Sequence, residues 1–192
     1  MSVARLLIAT ALAAALLAGC TAGTSAERAS GGYVQGDYGI TVVPESERPD
    51  APPVAGESLD GEQVSLDDYA GQTVLLNVWF AQCSPCREEA PDLVTAEREL
   101  RGDEVQFLGI NIRDDPDGAA QFVETFGITW PSIADPTSSQ LLGFRGDLPA
   151  VAVPTTYVID ADGRVAARLL GPQSAQTLVD VVDVVDEVGT GG

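Results

Sequence analysis

The 192-residue chain has no histidine and no lysine, and it carries only three cysteines, two tryptophans and one methionine. Without histidine it lacks the side chain that titrates near neutral pH unaided. A structural zinc site takes four ligands, usually cysteine and histidine, and three cysteines alone fall short. All ten cationic side chains are arginines, set against 29 carboxylates for a net charge of −19. That balance excludes a nucleic-acid-binding face, which needs a basic surface. It equally disfavours electrostatic docking on anionic lipid, so membrane attachment would have to be covalent. The apolar run Leu6–Leu17 is too short to span a bilayer, which takes about 20 residues.

What the chain does have is Cys83-Ser84-Pro85-Cys86, just after the apolar run Val74-Leu75-Leu76-Asn77-Val78-Trp79-Phe80. Two cysteines separated by two residues can close a small disulfide and open it again. When such a pair starts a helix after a buried strand, its first sulfur meets the positive end of the helix dipole. The thiol pKa falls, and the thiolate, the nucleophile of disulfide exchange, becomes available. Haem attachment would need histidine after the second cysteine, and Arg87 stands there. A purely structural staple stays open, although so short a loop gains little entropic stabilisation. Cys83 is the candidate nucleophile and Cys86, one turn further in, the shielded resolving thiol.

Residues 1–19 read as an export signal, with Arg5 as a short basic region before the apolar core. The signal ends in Leu17-Ala18-Gly19-Cys20, which resembles the lipobox of bacterial lipoproteins. That resemblance implies cleavage before Cys20, lipidation of Cys20 and attachment to the outer side of the cell membrane; acyl chains anchor at about 0.8 kcal/mol per buried methylene. The alternative is an ordinary signal peptide that leaves Cys20 as a stray thiol. Residues 20–53, rich in Gly, Ser, Ala, Glu and Pro, read as a flexible tether. Tyr33, Val34, Tyr38, Ile40, Val42 and Val43 break that texture and suggest an added edge strand.

The remainder, residues 54–192, reads as one α/β domain. Asp60-Gly61 between two short alternating runs predicts a two-residue hairpin. Val74–Trp79 is a continuous apolar strand suited to the middle of a sheet. A helix follows from Ser84 to about Arg101, with Pro85 tolerated in the first turn and Pro91 expected to bend it. Val105–Ile112 is the next buried strand. Helices are expected at Ala119–Phe126 and Ser138–Phe144, strands at Thr155–Ile159 and Val165–Leu170, and a closing helix at Ser174–Val188. Strands alternating with helices, then a hairpin and a last helix, give a mixed sheet flanked by helices.

This order is that of the thioredoxin fold, and two segments make the likeness specific. Leu76 to Pro91 resembles the active-site segment of TlpA/ResA-type membrane-anchored thiol-disulfide oxidoreductases, and Val153-Pro154-Thr155-Thr156-Tyr157-Val158-Ile159-Asp160 resembles their second signature. Asn111–Phe144 matches the extra strand-and-helix insert of the same group. The resemblance implies a thioredoxin-like fold with an N-terminal β-hairpin and that insert. It also implies a cis Val153–Pro154 bond against the cysteines, with Val153 backbone groups free to pair with an extended substrate. Glu89, three residues after Cys86 and on the same helical face, matches an active-site glutamate with a role in proton handling. The neighbouring Glu88 reads as a solvated carboxylate. Asn77 stands where thioredoxins proper carry a buried aspartate and cannot itself accept a proton. Gln82 replaces a tryptophan usual in the family, which bears on substrate preference and redox poise. Trp79 reads as core or near-site packing and is counted with Gln82 and Val153 as lining the substrate groove. Arg113-Asp114-Asp115 reads as an exposed turn, the alternative being that it lines the groove.

The expected activity is thiol-disulfide exchange on exported proteins, with no cofactor, no metal and a monomeric chain. The resemblance implies a reductant for cytochrome c maturation, acting on apocytochrome c and fed by a thiol-carrying membrane protein. Alternatives are an oxidant that introduces disulfides into exported proteins, and a non-catalytic lipoprotein with a structural cysteine pair. A peroxiredoxin would carry threonine where Phe80 stands.

Overall fold

The computed structural model describes residues 34–35, 39–102, 104–144, 146 and 148–189. The signal segment 1–19, Cys20 and half of the expected tether, residues 20–33 and 36–38, lie outside the described residues. The strands are β1 (Val34–Gln35), β2 (Ile40–Val42), β3 (Ala55–Glu57), β4 (Gln63–Ser65), β5 (Thr73–Trp79), β6 (Val105–Ile112), β7 (Ser132–Asp135), β8 (Thr155–Ile159) and β9 (Val165–Leu170). Three helices accompany them: α1 (Ser84–Glu99), α2 (Pro116–Phe126) and α3 (Ala175–Gly189). A seven-stranded mixed sheet runs in the order β1-β2-β9-β8-β5-β6-β7, and β3 and β4 form a separate hairpin.

β5 lies at the centre because every one of its seven residues is buried. It runs parallel to β6 through the crossover helix α1, and β6 runs parallel to β7 through α2. Side chains alternate across the sheet. Val74, Leu76 and Val78 pack with Leu108, Ile110, Ile133 and Tyr157 beneath Leu66, Phe144 and Leu148. Leu75, on the opposite face, joins Leu93 of α1 and Leu178 and Val182 of α3. Each such fully buried Leu or Ile contributes roughly 1.5–3 kcal/mol. α1 continues without a break through Pro91. α2 starts where the Asp115 carboxylate accepts the Gly118 N–H at 2.8 Å and ends at Gly127, whose φ of 67° a residue with a side chain resists.

Four sequence expectations need correction. The ordered domain begins before residue 54: β2 pairs with β9, Val43 is in the core, and Arg48 is buried against Asp160 at 3.0 Å. The expected tether therefore includes residues that close the sheet edge, as the apolar residues Val34, Ile40 and Val42 suggested. The β3–β4 hairpin encloses five residues, because Glu57 faces Gln63, instead of the two that Asp60-Gly61 suggests. Ser58 turns inward there, and its hydroxyl accepts the Asp60 and Glu62 N–H groups at 3.2 and 3.3 Å. Residues 138–144 form only a short 3-10 turn, Gln140–Leu142. Asp135 explains this, since its carboxylate takes the Ser139 and Gln140 N–H groups and holds a turn in place of a helix. Trp79 is the fourth and is treated with the site.

Candidate active site

The C-terminal end of β5 delivers the chain to a tight turn in which the Cys83 N–H donates to the Phe80 carbonyl at 3.1 Å. Cys83 is the N-cap of α1, and its sulfur accepts the Cys86 N–H at 3.1 Å. Ser84 and Pro85 fill the first turn, where proline has no intrahelical bond to lose. Cys83 and Cys86 are joined as a disulfide with a Cα–Cα distance of 5.2 Å. The Cys83 sulfur therefore sits on the free N–H groups of a helix start, the place that stabilises a thiolate when the bond opens. Solvent exposure separates the two residues little, at 4% for Cys83 and 2% for Cys86. Both belong to one apolar cluster with Ala90 and Val94, and their positions in the chain separate them instead: Cys83 is the N-cap, flanked by exposed Gln82 and Ser84, whereas Cys86 lies inside the first turn of α1.

The segment before β8 forms the facing wall. The Val153–Pro154 peptide bond is cis, and the Val153 carbonyl oxygen lies 3.6 Å from the Cys83 sulfur. Pro154 is in turn tied to the loop after β9, where the Gly171 N–H donates to the Pro154 carbonyl at 2.9 Å. The same loop reaches beneath the cysteines. There the Gln173 backbone N–H donates to one oxygen of Glu89 at 3.1 Å, and the Asn77 side-chain amide donates to the other at 3.2 Å. Asn77 also donates to the Thr156 hydroxyl at 2.9 Å, so a side chain from β5 is fixed against β8.

Glu89 is only 1% exposed, whereas Glu88 points to solvent. Burial pushes its pKa up from the usual carboxylate range to about 7. The two donated hydrogen bonds pull it down and Asp92 pushes it slightly further up, but desolvation dominates. A carboxyl that titrates near neutrality, one turn past the second cysteine, can hold or release a proton at working pH.

Trp79, expected to help line the substrate groove, is 2% exposed and does not reach the surface. Its ring stacks on Phe122 of α2 at 4.4 Å, and its indole N–H donates to the Ser132 hydroxyl at 3.3 Å. Gly109 permits this: a Cβ there would collide with Ser132 and sit 2.9 Å from the indole nitrogen. Trp79 fixes the insert to the sheet, and Gln82 and Val153 remain at the rim. Gln173 and Thr156 went unnoticed in the sequence as members of the site, since nothing local marks a backbone N–H aimed at a distant carboxylate. Asp114 is also more than an exposed turn residue. Its carboxylate accepts the Ala81 N–H at 2.6 Å and the Asn111 amide at 2.7 Å, bracing the turn that presents Cys83. Among the described residues no three His, Cys, Asp or Glu side chains are grouped to hold a metal ion.

A match to the AhpC/TSA family extends over residues 48–168, well over half of the chain. The chain belongs to the AhpC/TSA family. Within that family it is similar to the thiol-disulfide oxidoreductase ResA of Bacillus subtilis strain 168, at 26% identity over 77% of this chain and 80% of that protein. A crystal structure of a DsbF homologue from Corynebacterium diphtheriae superposes with a TM-score of 0.69 at 39% identity, covering 84% of this chain and 99% of that one. A secreted thiol-disulfide isomerase from Corynebacterium glutamicum gives 0.72 at 36% identity, over 77% and 92%. This AhpC/TSA member has a thioredoxin-like fold and is a thiol-disulfide oxidoreductase.

Proposed function

We propose that the protein reduces disulfides of exported proteins, with Cys83 as nucleophile, Cys86 as resolving thiol and Glu89 as the proton acceptor for Cys86. The observation that carries this reading is the Cys83 sulfur at the start of α1, 3.1 Å from the Cys86 N–H and 3.6 Å from the Val153 carbonyl. In the reduced form the Cys83 thiolate attacks one sulfur of a substrate disulfide. The other substrate sulfur leaves with the bonding pair and takes up a proton. Cys86, its proton passed to Glu89, then attacks Cys83; the second substrate sulfur leaves, and the Cys83–Cys86 disulfide forms. Val153 and Gln82 border the substrate's path, and Pro154 shapes the Val153 backbone that an extended segment can pair with. A thiol-carrying membrane protein restores the dithiol by the same two exchanges.

What surrounds the sulfurs supports the reducing direction. A strong oxidant stabilises its reduced form with cations or several donors around the thiolate. Among the described residues no cation hydrogen-bonds to either sulfur, and a buried ionisable group on the same helix is the acid Glu89. The resemblance to TlpA/ResA-type proteins supports apocytochrome c as a substrate. The export-signal pattern, Leu17-Ala18-Gly19-Cys20 and the secreted relative support an extracytoplasmic site with the lipid carried on Cys20. Titration against a thiol redox buffer should place the pair toward roughly −270 mV; a value toward about −120 mV would assign an oxidant instead. In cells, a Cys86→Ser chain should trap apocytochrome c on Cys83. Capture of other exported proteins without it would remove the maturation role.

A further inference from the structure

The mouth around Cys83 differs in charge from the rest of this acidic molecule. Among the described residues Arg48, Arg101 and Arg164 are ion-paired, whereas Arg98 far along α1 and Arg168 on β9 are not. Arg87 and Arg113 have no carboxylate within ion-pair distance among the described residues, although carboxylates outnumber arginines almost three to one, 29 to 10. Each is parked over aromatic rings beside the same short segment. The Arg113 guanidinium carbon lies 5.4 Å from the centre of the Phe80 ring. That of Arg87 lies 5.1 Å from the Phe126 ring and 5.9 Å from Phe122, and its Nη1 donates to the Ala81 carbonyl at 3.4 Å. The two cations therefore flank Phe80-Ala81-Gln82, the turn that leads to the reactive sulfur. Both are exposed.

Arg113 also holds a left-handed backbone with φ of 64°, which residues with side chains adopt only at an energetic cost. Asp114, its neighbour, has its Oδ2 occupied by the Ala81 N–H and the Asn111 amide. Glu88, adjacent to Arg87, is turned about 100° around the helix from it. On the facing wall the Val153 carbonyl approaches the Cys83 sulfur, and the partly buried Val153 side chain packs in the same apolar cluster. The mouth therefore carries its cations on the side of Arg87 and Arg113.

We infer that Arg87 and Arg113 select substrate segments that carry a carboxylate next to the reacting cysteine. This rests on the oxidoreductase reading above and adds the substrate class. The net charge of −19 repels an acidic segment at long range. Salt screens that repulsion beyond about 10 Å at 0.1 M, whereas attraction at contact distance persists. Preference at moderate ionic strength is therefore set by the rim.

The test uses the reduced Cys86→Ser chain and three peptides of equal length. Each has one cysteine capped as a 2-pyridyl disulfide and flanked by Glu, Gln or Lys. The Cys83 thiolate attacks the peptide sulfur, and a Cys83–peptide disulfide forms. Pyridine-2-thione leaves with the bonding pair and a proton, and its absorbance gives the rate. Rates are divided by those for the neutral thiol 2-mercaptoethanol, which removes the peptides' intrinsic differences. At about 0.1 M salt the Glu peptide should react about tenfold faster than the Lys peptide. Arg113→Gln and Arg87→Gln should each lower that ratio about threefold, the scale of an exposed charge pair, and Arg113→Lys should keep most of it. Arg98→Gln changes net charge equally from about 16 Å further along α1 and should leave the ratio intact. A Glu-to-Lys ratio of one or less, or an Arg98→Gln effect equal to that of Arg113→Gln, overturns the rim. If even the Gln peptide reacts no faster than with 2-mercaptoethanol, the exchange reading itself fails.

Discussion

Two polar clusters are buried at opposite ends of the central strands, and they are built on opposite rules. Where β8 ends, the Arg48 guanidinium meets Asp160 at 3.0 Å and also donates to the Val43 and Val185 carbonyls at 3.3 and 3.5 Å. The other Asp160 oxygen takes the Asp162 and Arg164 N–H groups. Charge is matched by charge there, and the N-terminal segment, the β8–β9 turn and α3 are tied together. Where β5 ends, Glu89 is buried with donors that are all neutral. Burial disfavours its charge and no cation is among its hydrogen-bond partners in the described residues, so its proton affinity rises until it titrates near neutrality. A balanced cluster holds a structure in one state, whereas an unbalanced one holds a group between two. The second kind belongs beside a redox pair.

Several experiments break or sharpen that contrast. The largest effect belongs to Cys83→Ser, which should lower insulin-disulfide reduction about 10³-fold or more. A rate equal to that of the parent chain would reduce the cysteine pair to a staple. Next comes Asp160→Ala, which strands the buried Arg48 and should cost about 3–5 kcal/mol in denaturant unfolding. Exchange per folded molecule should hold, because this cluster lies at the far end of the sheet.

Glu89→Gln tests the other cluster through pH. Its folded-state pKa is about 7 against an ordinary value of 4.5, so between these values the folded chain holds more protons than the unfolded one. Stability therefore falls as pH rises from about 4.5 to 7, by on the order of 3 kcal/mol in all. Unfolding curves across that window should show the loss in the parent chain and not in Glu89→Gln. The pH–rate profile should lose an inflection near 7 in the same variant. Smallest is Asn77→Ala, which removes one of the two donors to Glu89. It should cost about 1 kcal/mol and move that inflection to higher pH; an inflection moving lower would mean that Asn77 does not hold the carboxylate.

The fold was legible in the sequence wherever burial follows a local pattern. The apolar run at 74–80, the strand at 105–112 and the spacing of Leu178, Val182 and Val185 each announce one element. The cysteine pair was legible for the same reason, since its chemistry depends on four adjacent residues. Less visible were features set by partners far along the chain. Ile40, Val42 and Val43 suggested an added strand, but its partner β9 lies far along the chain and could not be read from them. Trp79 could be read as packing in or near the site; that Gly109 opens the space which takes the ring fully inside could not. Spacing from Cys86 and the family resemblance told Glu89 from Glu88, but the neutral donors that hold it, the Asn77 amide and the Gln173 N–H, left no local mark.

The central claim is that the backbone around Cys83 makes its sulfur the acidic one, and alkylation of the reduced protein as a function of pH measures this directly. Cys83 should be modified with a midpoint below the ordinary thiol value of about 8.5, while Cys86 stays unmodified in the folded chain. If Cys83 remains protonated and inert beyond about pH 9, or both sulfurs react alike, the account is wrong.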